Sequence, residues 1–355
     1  MEQKSASDEK NRLDPGVFNL PVEKIKSGFY SDKYFVRTRE ILLKSGLRSR
    51  VVMQVFTRKS GVLCGVDEAV AVLKLCSEDP ETIKSRALYD GDRVSKGETV
   101  LTIEGDYSGF AHLETVYLGA LVRGTSLATA VRETVENAAE KPVMFFAARF
   151  DHYSVQSADG YAAFIGGAAG VSTDANGFIR GIEGVGTIPH SLIAAFDGNT
   201  LAACRAFRNH IDPAVTLIAL VDFDNDCIGT SLEVAQYFGK RLWGVRLDTS
   251  GDMRDVSLTA GPKDTFGVTP ELVRKLRKSL DKKGFDWVKI VVSGGFNSEK
   301  IKRFTSLDVP FDAVGVGSSF YKKKIDFTAD IVVVNGKPCA KAGRSLKPNP
   351  RLEEV

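Results

Sequence analysis

The chain has 355 residues, 43% of them hydrophobic and 26% charged, and a formal net charge of +3. That length can bury a sizeable core and suits two domains, and the composition is that of a folded globular protein. So small a net charge, with basic residues scattered along the chain, excludes nucleic acid as a partner, and Lys322–Lys324 reads as a solvated edge. Cys64, Cys76, Cys204, Cys227 and Cys339 are odd in number and widely spaced, with no C-x-x-C pair. This argues against a zinc site or a disulfide framework and fits a reducing compartment. The polar N-terminus has no apolar signal core, and no run reaches the roughly 18 apolar residues of a membrane helix. The expectation is a cytoplasmic protein with no membrane partner.

In chain order, residues 1–16 read as a flexible arm. Ser31–Leu43 predicts a helix, Val51–Phe56 a strand and Asp67–Cys76 a second helix. Between Tyr89 and Glu104, Asp-Gly and Lys-Gly turns separate short alternating runs, the pattern of a small β-rich unit. Leu113–Arg132 has a helical apolar period and bridges into a second domain. An N-terminal α+β domain, sandwich-like, is expected over residues 17–125.

From Lys141 the pattern becomes strand, loop, helix, repeated. The predicted strands are Val143–Ala148, Gly170–Ser172, Val185–Thr187, Val215–Val221, Leu242–Leu247, Val288–Val292 and Ala313–Val316. Helices are predicted over Ser157–Phe164, Ser191–Phe196, Ser231–Phe238, Pro270–Lys283 and Ser298–Phe304. Such alternation implies a parallel sheet. About seven strands make an α/β fold, an incomplete (β/α) barrel over residues 126–323. Residues 324–355, with Ile331–Val334 and an Asn335-Gly336 turn, read as a hairpin returning to the N-terminal domain.

Two late segments carry the first chemical signal. Val288–Asn297 (VKIVVSGGFN) and Phe311–Phe320 (FDAVGVGSSF) each read as a buried strand running into a turn without bulk. Backbone N–H groups in such turns can approach an anion closely, helped by a following helix. Paired at the ends of successive strands, they resemble the phosphate site of (β/α) barrels. Ser293, Gly294, Gly295, Gly315, Gly317 and Ser318 are therefore the phosphate-binding candidates.

Several segments in order resemble the nicotinate phosphoribosyltransferase family, which has the type II phosphoribosyltransferase fold. They are Tyr30–Tyr34 (YSDKY), Phe146–Arg149 (FAAR) with His152, Ile165–Thr173 (IGGAAGVST), Gly186–Ser191 (GTIPHS), Arg246–Asp252 (RLDTSGD), Ser293–Asn297 (SGGFN) and Gly315–Phe320 (GVGSSF). The resemblance covers about residues 28–340, and the ordered set is far more specific than any one glycine motif. Asp90–Glu98 also looks like the N-terminal domain of the wider fold, which includes the quinolinate enzymes. Family members join nicotinate to phosphoribosyl pyrophosphate, giving nicotinate mononucleotide and pyrophosphate, with ATP as co-substrate.

His190 follows a Gly-Thr turn at a helix start, and on spacing alone it suits a turn-capping histidine. The resemblance implies a histidine that takes phosphate from ATP, a role open to an imidazole that is partly neutral near pH 7. Arg149 ends a predicted strand, where its planar guanidinium could hold a carboxylate or phosphate, or be a loop arginine. Phe146 has the pattern of a core aromatic. The resemblance implies that it stacks on the pyridine ring, with Tyr34 of a neighbouring subunit on the other face, hence a homodimer or higher homo-oligomer with shared sites.

Arg246 and Asp248 alternate along a strand and share a face. They form a rim ion pair or serve a ligand, Asp248 at ribose hydroxyls or metal-bound water and Arg246 at nicotinate or phosphate. Asp222 and Asp224, read as sharing a face at a strand end, could place Mg²⁺ beside pyrophosphate, or be an acidic loop capping the next helix. Ser172 and Thr173 offer hydroxyl donors where nicotinamide-using relatives place a carboxylate, which favours nicotinate. Asp174 next door would reverse that inference after a shift of one residue. The alternatives are a nicotinamide or quinolinate enzyme, or a non-catalytic nucleotide sensor. Leu113–Leu118 (LETVYL) lacks the arginine that follows the equivalent glutamate in the quinolinate pattern.

Overall fold

A computed structural model of the protein describes residues 11–259 and 265–355. They form two compact units, one from residues up to Ala130 together with Lys323–Val355, the other from Val131–Lys322.

The first unit is built on a six-stranded antiparallel sheet, in the order Lys337–Pro338, Phe327–Val334, Arg50–Thr57, Thr99–Asp106, Lys84–Ala87, Glu353–Glu354. Arg50–Thr57 (RVVMQVFT) is central because its alternate residues Val51, Met53 and Val55 supply one fully buried face. The helix Val66–Cys76 turns Val66, Ala69, Val70 and Leu73 into the same core, which Ile325, Phe327 and Leu352 share from the far end of the chain. Of the arm expected over residues 1–16, the first ten lie outside the described residues. The remainder is not loose. Arg12 pairs with Asp67 at 2.8 Å and donates to the carbonyls of Ala87 and Leu88, and Leu13 N–H donates to the same aspartate. Tyr34 is exposed on the helix Lys33–Lys44, its ring 4.3 Å from that of Phe35.

The second unit holds a six-stranded, all-parallel sheet, in the order Gly170–Val171, Val143–Phe145, Ala313–Val316, Lys289–Val292, Gly244–Leu247, Ile218–Leu220. Its strands are short β-branched runs with almost no exposed residue, as expected of a sheet covered on both faces. Of the seven predicted strands, Val185–Thr187 is not formed. Glycines at 184 and 186 and Pro189 deprive it of β-forming neighbours, and a single bond from Val185 N–H to Val171 O is its link to the sheet edge. The result is an open half-barrel.

Helices Gln156–Gly166, His190–Ala195, Cys227–Phe238, Pro270–Lys282 and Ser298–Ser306 follow the predicted spans. Thr200–His210 is an additional one, capped by the Asn199 side chain. Pro270–Lys282 shows why these segments are helical. Thr269 caps it by accepting from Leu272 N–H, a proline occupies the first turn, and Leu272, Val273, Leu276 and Leu280 form one buried stripe. No helix among the described residues is long and apolar enough to cross a membrane.

Candidate active site

Parallel strands deliver their C-terminal ends to one edge of the sheet, so Phe146, Ser172, Asp222, Asp248, Ser293 and Gly317 all emerge just beyond that edge. Arg246 lies one residue before the end of its strand, opposite Val291. Its guanidinium is largely buried, yet each contact is long: 3.5 Å to Ser293 Oγ, 3.5 Å to the Ile188 carbonyl and 3.7 Å to Asp248 Oδ2. Its Nε is buried without a partner. Burial lowers its pKa, opposed by Asp248 and Asp222 and reinforced by Arg149. A buried cation so poorly satisfied is costly unless an anion completes its shell.

Ser293 joins the pair across strands. Its hydroxyl lies 2.7 Å from Asp248 Oδ1 and 3.1 Å from the Leu247 carbonyl. The turn after it has two left-handed residues in succession, Gly294 (φ 78°) and Gly295 (φ 69°). A Cβ on Gly294 would meet the Asp248 carbonyl oxygen at 2.8 Å, so only glycine lets this turn lie against the Asp248 loop.

His190 and Asp222 form a second pair, with Nε2 3.1 Å from Oδ2. The aspartate is buried and the imidazole half-exposed. Desolvation raises the Asp222 pKa, and His190 opposes the rise. Asp222 Oδ1 is buried with no partner. If Nε2 carries the proton given to Asp222, Nδ1 presents a free lone pair. Asp222 and Asp224 do not share a face, contrary to the strand-based expectation. The strand stops at Leu220, Asn225 takes a positive φ of 53°, and the intervening loop buries Asp222 while leaving Asp224 exposed.

Among the described residues no group of three or more His, Cys, Asp or Glu side chains could hold a metal. Mg²⁺ commonly binds through one or two carboxylates plus substrate phosphates, and the orphaned Asp222 Oδ1, with Asp248 in electrostatic range, fits that pattern.

The aromatic side of the site gives the second glycine segment a packing role. Gly315 is inside its strand, and a Cβ there would come within 2.4 Å of the Phe146 ring. One on Gly317 would come within 2.5 Å of the Phe150 ring and 3.0 Å of the Phe146 carbonyl. Neither has a positive φ, so both glycines make room for aromatics. Ser318 is exposed at the start of the following turn, and Ser319 Oγ donates to the Phe296 carbonyl, tying the two segments together. Arg149 lies beyond the end of its shortened strand, in the turn Ala148–Phe150. It is exposed and, among the described residues, has no carboxylate partner; its guanidinium carbon lies 5.5 Å from the Phe150 ring centroid.

Residues 32–124 match the family model described as the quinolinate phosphoribosyl transferase N-terminal domain, and residues 127–330 match the model of its C-terminal domain. The chain belongs to this family. Its fold is the type II phosphoribosyltransferase fold. Among solved structures, it is similar to nicotinate-nucleotide pyrophosphorylase from Pyrococcus furiosus, with 34% identity and a TM-score of 0.80, over 100% of this chain and 86% of that one. Among curated relatives, nicotinate phosphoribosyltransferase pncB1 of Mycobacterium tuberculosis is 28% identical over 91% of this chain and 76% of its own length. A probable nicotinate-nucleotide pyrophosphorylase (carboxylating) of Methanothermobacter thermautotrophicus is 25% identical over 78% and 87%.

In this member of the quinolinate phosphoribosyl transferase family, Thr173 is an N-cap. It accepts from Asn176 N–H, and its hydroxyl lies 2.9 Å from Gln156 Oε1 and 2.8 Å from Asn176 Oδ1. Its hydroxyl is thus committed within the unit, whereas Ser172 is half-buried beside it. Asp174 Oδ1 accepts from Gly184 N–H at 2.8 Å, anchoring the loop that leads to His190. Sequence reasoning passed over Asp255 and Lys300. Asp255 is buried and accepts from Cys227 N–H and from Ser257 N–H and Oγ, which pins the segment after Asp248 to the start of the helix Cys227–Phe238. Asp255 escapes notice because its link to Cys227 spans 28 residues, and Lys300 because a lysine in a polar helix turn gives no sign that it folds onto the rings of Phe296 and Phe304.

Proposed function

We propose that this chain transfers the phosphoribosyl group of phosphoribosyl pyrophosphate to a pyridine carboxylate in NAD synthesis, with nicotinate as the acceptor. The observation that carries the choice of nicotinate is the His190–Asp222 pair. A half-exposed imidazole, oriented through Nε2 with Nδ1 free, is suited to accept a phosphoryl group from ATP. Transfer to quinolinate has no use for such a group.

In this reading the pyridine nitrogen attacks the anomeric carbon. The bond to pyrophosphate breaks, and its electron pair leaves with the pyrophosphate through an oxocarbenium-like transition state. No proton moves, so catalysis rests on positioning and charge neutralisation. Arg246 and Arg149 face the anionic groups, Asp248 takes the ribose hydroxyls, the Ser293–Gly295 turn holds the 5-phosphate, and Phe146 lies on the pyridine ring. Tyr34 of a neighbouring subunit would cover the other face. Asp222 and Asp248 would hold Mg²⁺, which when bound supplies positive charge beside the leaving pyrophosphate. Nδ1 of His190 would take the terminal phosphoryl group of ATP, releasing ADP, and water would later cleave the phosphohistidine.

A second reading, quinolinate as acceptor, has the support of the matched family models and of the names that the Pyrococcus and Methanothermobacter relatives carry. That reaction must also release one carboxylate as carbon dioxide to reach the same product. Pyrophosphate release should therefore be measured with nicotinate, quinolinate and nicotinamide in parallel, with and without ATP, and repeated with His190→Ala. Turnover of nicotinate, stimulated by ATP in the wild type alone, is expected. Faster turnover of quinolinate with carbon dioxide release would establish the second reading. ATP stimulation that survives His190→Ala would remove the phosphohistidine. Binding of substrates without pyrophosphate release would make the chain a sensor.

A further inference from the structure

Lys300 is a cation that the proposed reaction does not yet use. It lies in the first turn of the helix Ser298–Ser306, immediately after the Ser293–Gly295 turn, and its Nζ is 3.5 Å from the Gly294 carbonyl oxygen. The ammonium sits 4.2 Å from the ring centroid of Phe296 and 5.9 Å from that of Phe304, two buried rings that meet edge to face. Among the described residues it has no carboxylate partner. The charged side chain bearing on it is Arg303, of the same sign, and burial together with that repulsion brings its pKa down to about 8.

Three aspects of this arrangement point the same way. A lysine normally carries its head to water, and this one holds it over two aromatic faces and near a carbonyl, which attract the charge without neutralising it. The backbone around it is equally unfinished, since among the described residues the N–H groups of Gly294, Gly295 and Phe296 donate to no backbone or side-chain acceptor in the protein. Finally, the side chain is held in place, because the Asn297 side chain caps the helix that carries it and Ser319 fixes the Phe296 carbonyl. Free N–H donors on a left-handed turn with a preset ammonium at their edge make a receptor for a dianion.

We propose that Lys300 recognises the phosphate monoester of the donor sugar, closing the anion site formed by the Ser293–Gly295 turn. The assignment rests on the phosphoribosyl reading above. It also divides the labour of the cations: Lys300 takes the 5-phosphate, leaving Arg246 and Arg149 for the pyridine carboxylate and pyrophosphate.

The test uses the full-length protein and calorimetric titration with two probes, ribose 5-phosphate and inorganic pyrophosphate. Lys300→Met keeps the aliphatic stem between Phe296 and Phe304 and removes only the charge. Its affinity for ribose 5-phosphate should fall at least tenfold, with pyrophosphate affinity within about twofold of wild type. Lys300→Arg should recover part of the loss, and Lys302→Met, a neutralised lysine on the exposed side of the same helix, should bind both probes as wild type does. Unchanged ribose 5-phosphate affinity in Lys300→Met overturns the proposal. So does an equal loss for both probes, or a matching loss in Lys302→Met. A wild-type protein that binds neither probe overturns the phosphoribosyl reading itself, an outcome visible before any variant is made.

Discussion

Ser293 and Asp248, 45 residues apart, face each other across neighbouring strand ends with Oγ 2.7 Å from Oδ1. The same hydroxyl stands 3.5 Å from a nitrogen of Arg246, so one serine bridges an acid and a base that are themselves 3.7 Å apart. Removing the bridge frees the carboxylate to swing toward Arg246 and collapse the gap in which a ligand would sit. A hydrogen bond to a charged group contributes about 1.5–3 kcal/mol. Ser293→Ala should therefore lower kcat/KM for phosphoribosyl pyrophosphate by about 10- to 100-fold with little change in melting temperature. Steady-state kinetics beside a thermal melt checks this, and wild-type kinetics would show the bridge to be ornamental.

Arg246 should separate function from stability. Its guanidinium is buried with an unpartnered Nε and only long contacts elsewhere, so it bears a desolvation cost that its protein neighbours offset incompletely. Replacing a whole buried ion pair with apolar groups is often neutral or stabilising by about 1–4 kcal/mol, and loss of Arg246 alone approaches that case because Asp248 is partly exposed and keeps its 2.7 Å bond to Ser293. Arg246→Met is expected to raise or preserve the urea midpoint while reducing kcat/KM by at least about 100-fold. A variant that is both inactive and unstable would instead identify Arg246 as a structural ion-pair member.

The sheet edge was legible in the sequence because strands buried on both faces must be written as short apolar β-branched runs, as in Lys289–Val292 and Ala313–Val316. Their order also put Phe146, Arg246, Asp248 and Ser293 at one edge. What failed depended on where strands stop. Alternation continues in the sequence through Asp222 and Asp224, but the strand ends at Leu220 and the loop, not the pleat, decides which carboxylate is buried. Val185–Thr187 looked like a strand by composition, and its flanking glycines outweighed it. The under-satisfaction of Arg246 was illegible for another reason: it depends on Ile188, 58 residues away, and Ser293, 47 residues away. The packing role of Gly315 is illegible too, because sequence shows a missing side chain but not the Phe146 ring that needs its space.

Leu276 tests the packing that carries this edge. It is fully buried in the helix Pro270–Lys282, among Leu272, Val273 and Leu280. Truncation to alanine removes the transfer free energy of the lost carbons and leaves a cavity, together about 2–5 kcal/mol. Leu276→Ala should lower stability by that amount in urea titration, whereas Lys278→Ala, on the same helix outside the buried stripe, should change it by less than about 0.5 kcal/mol. Equal effects would mean that the stripe is not the helix's main attachment.

Glu114 gives the first unit a pH dependence with a definite sign. Burial, with Asp330 and Asp32 adding repulsion, pushes its pKa up to about 7. The unfolded chain restores a value of about 4.3, so the folded state binds this proton more tightly. The contribution to stability is fully present below the unfolded pKa. It is lost as pH rises through the folded value near 7, and it stays lost above it. Glu114→Gln removes the titration while keeping the shape. Urea midpoints of both proteins at pH 5 and pH 8 should show wild type losing stability relative to the variant between the two values, with the remaining titrating groups cancelling in the comparison. Parallel pH profiles would mean that Glu114 is ionised in the folded protein over this whole range, and that the charge of Asp32 and Asp330 is neutralised by some other group.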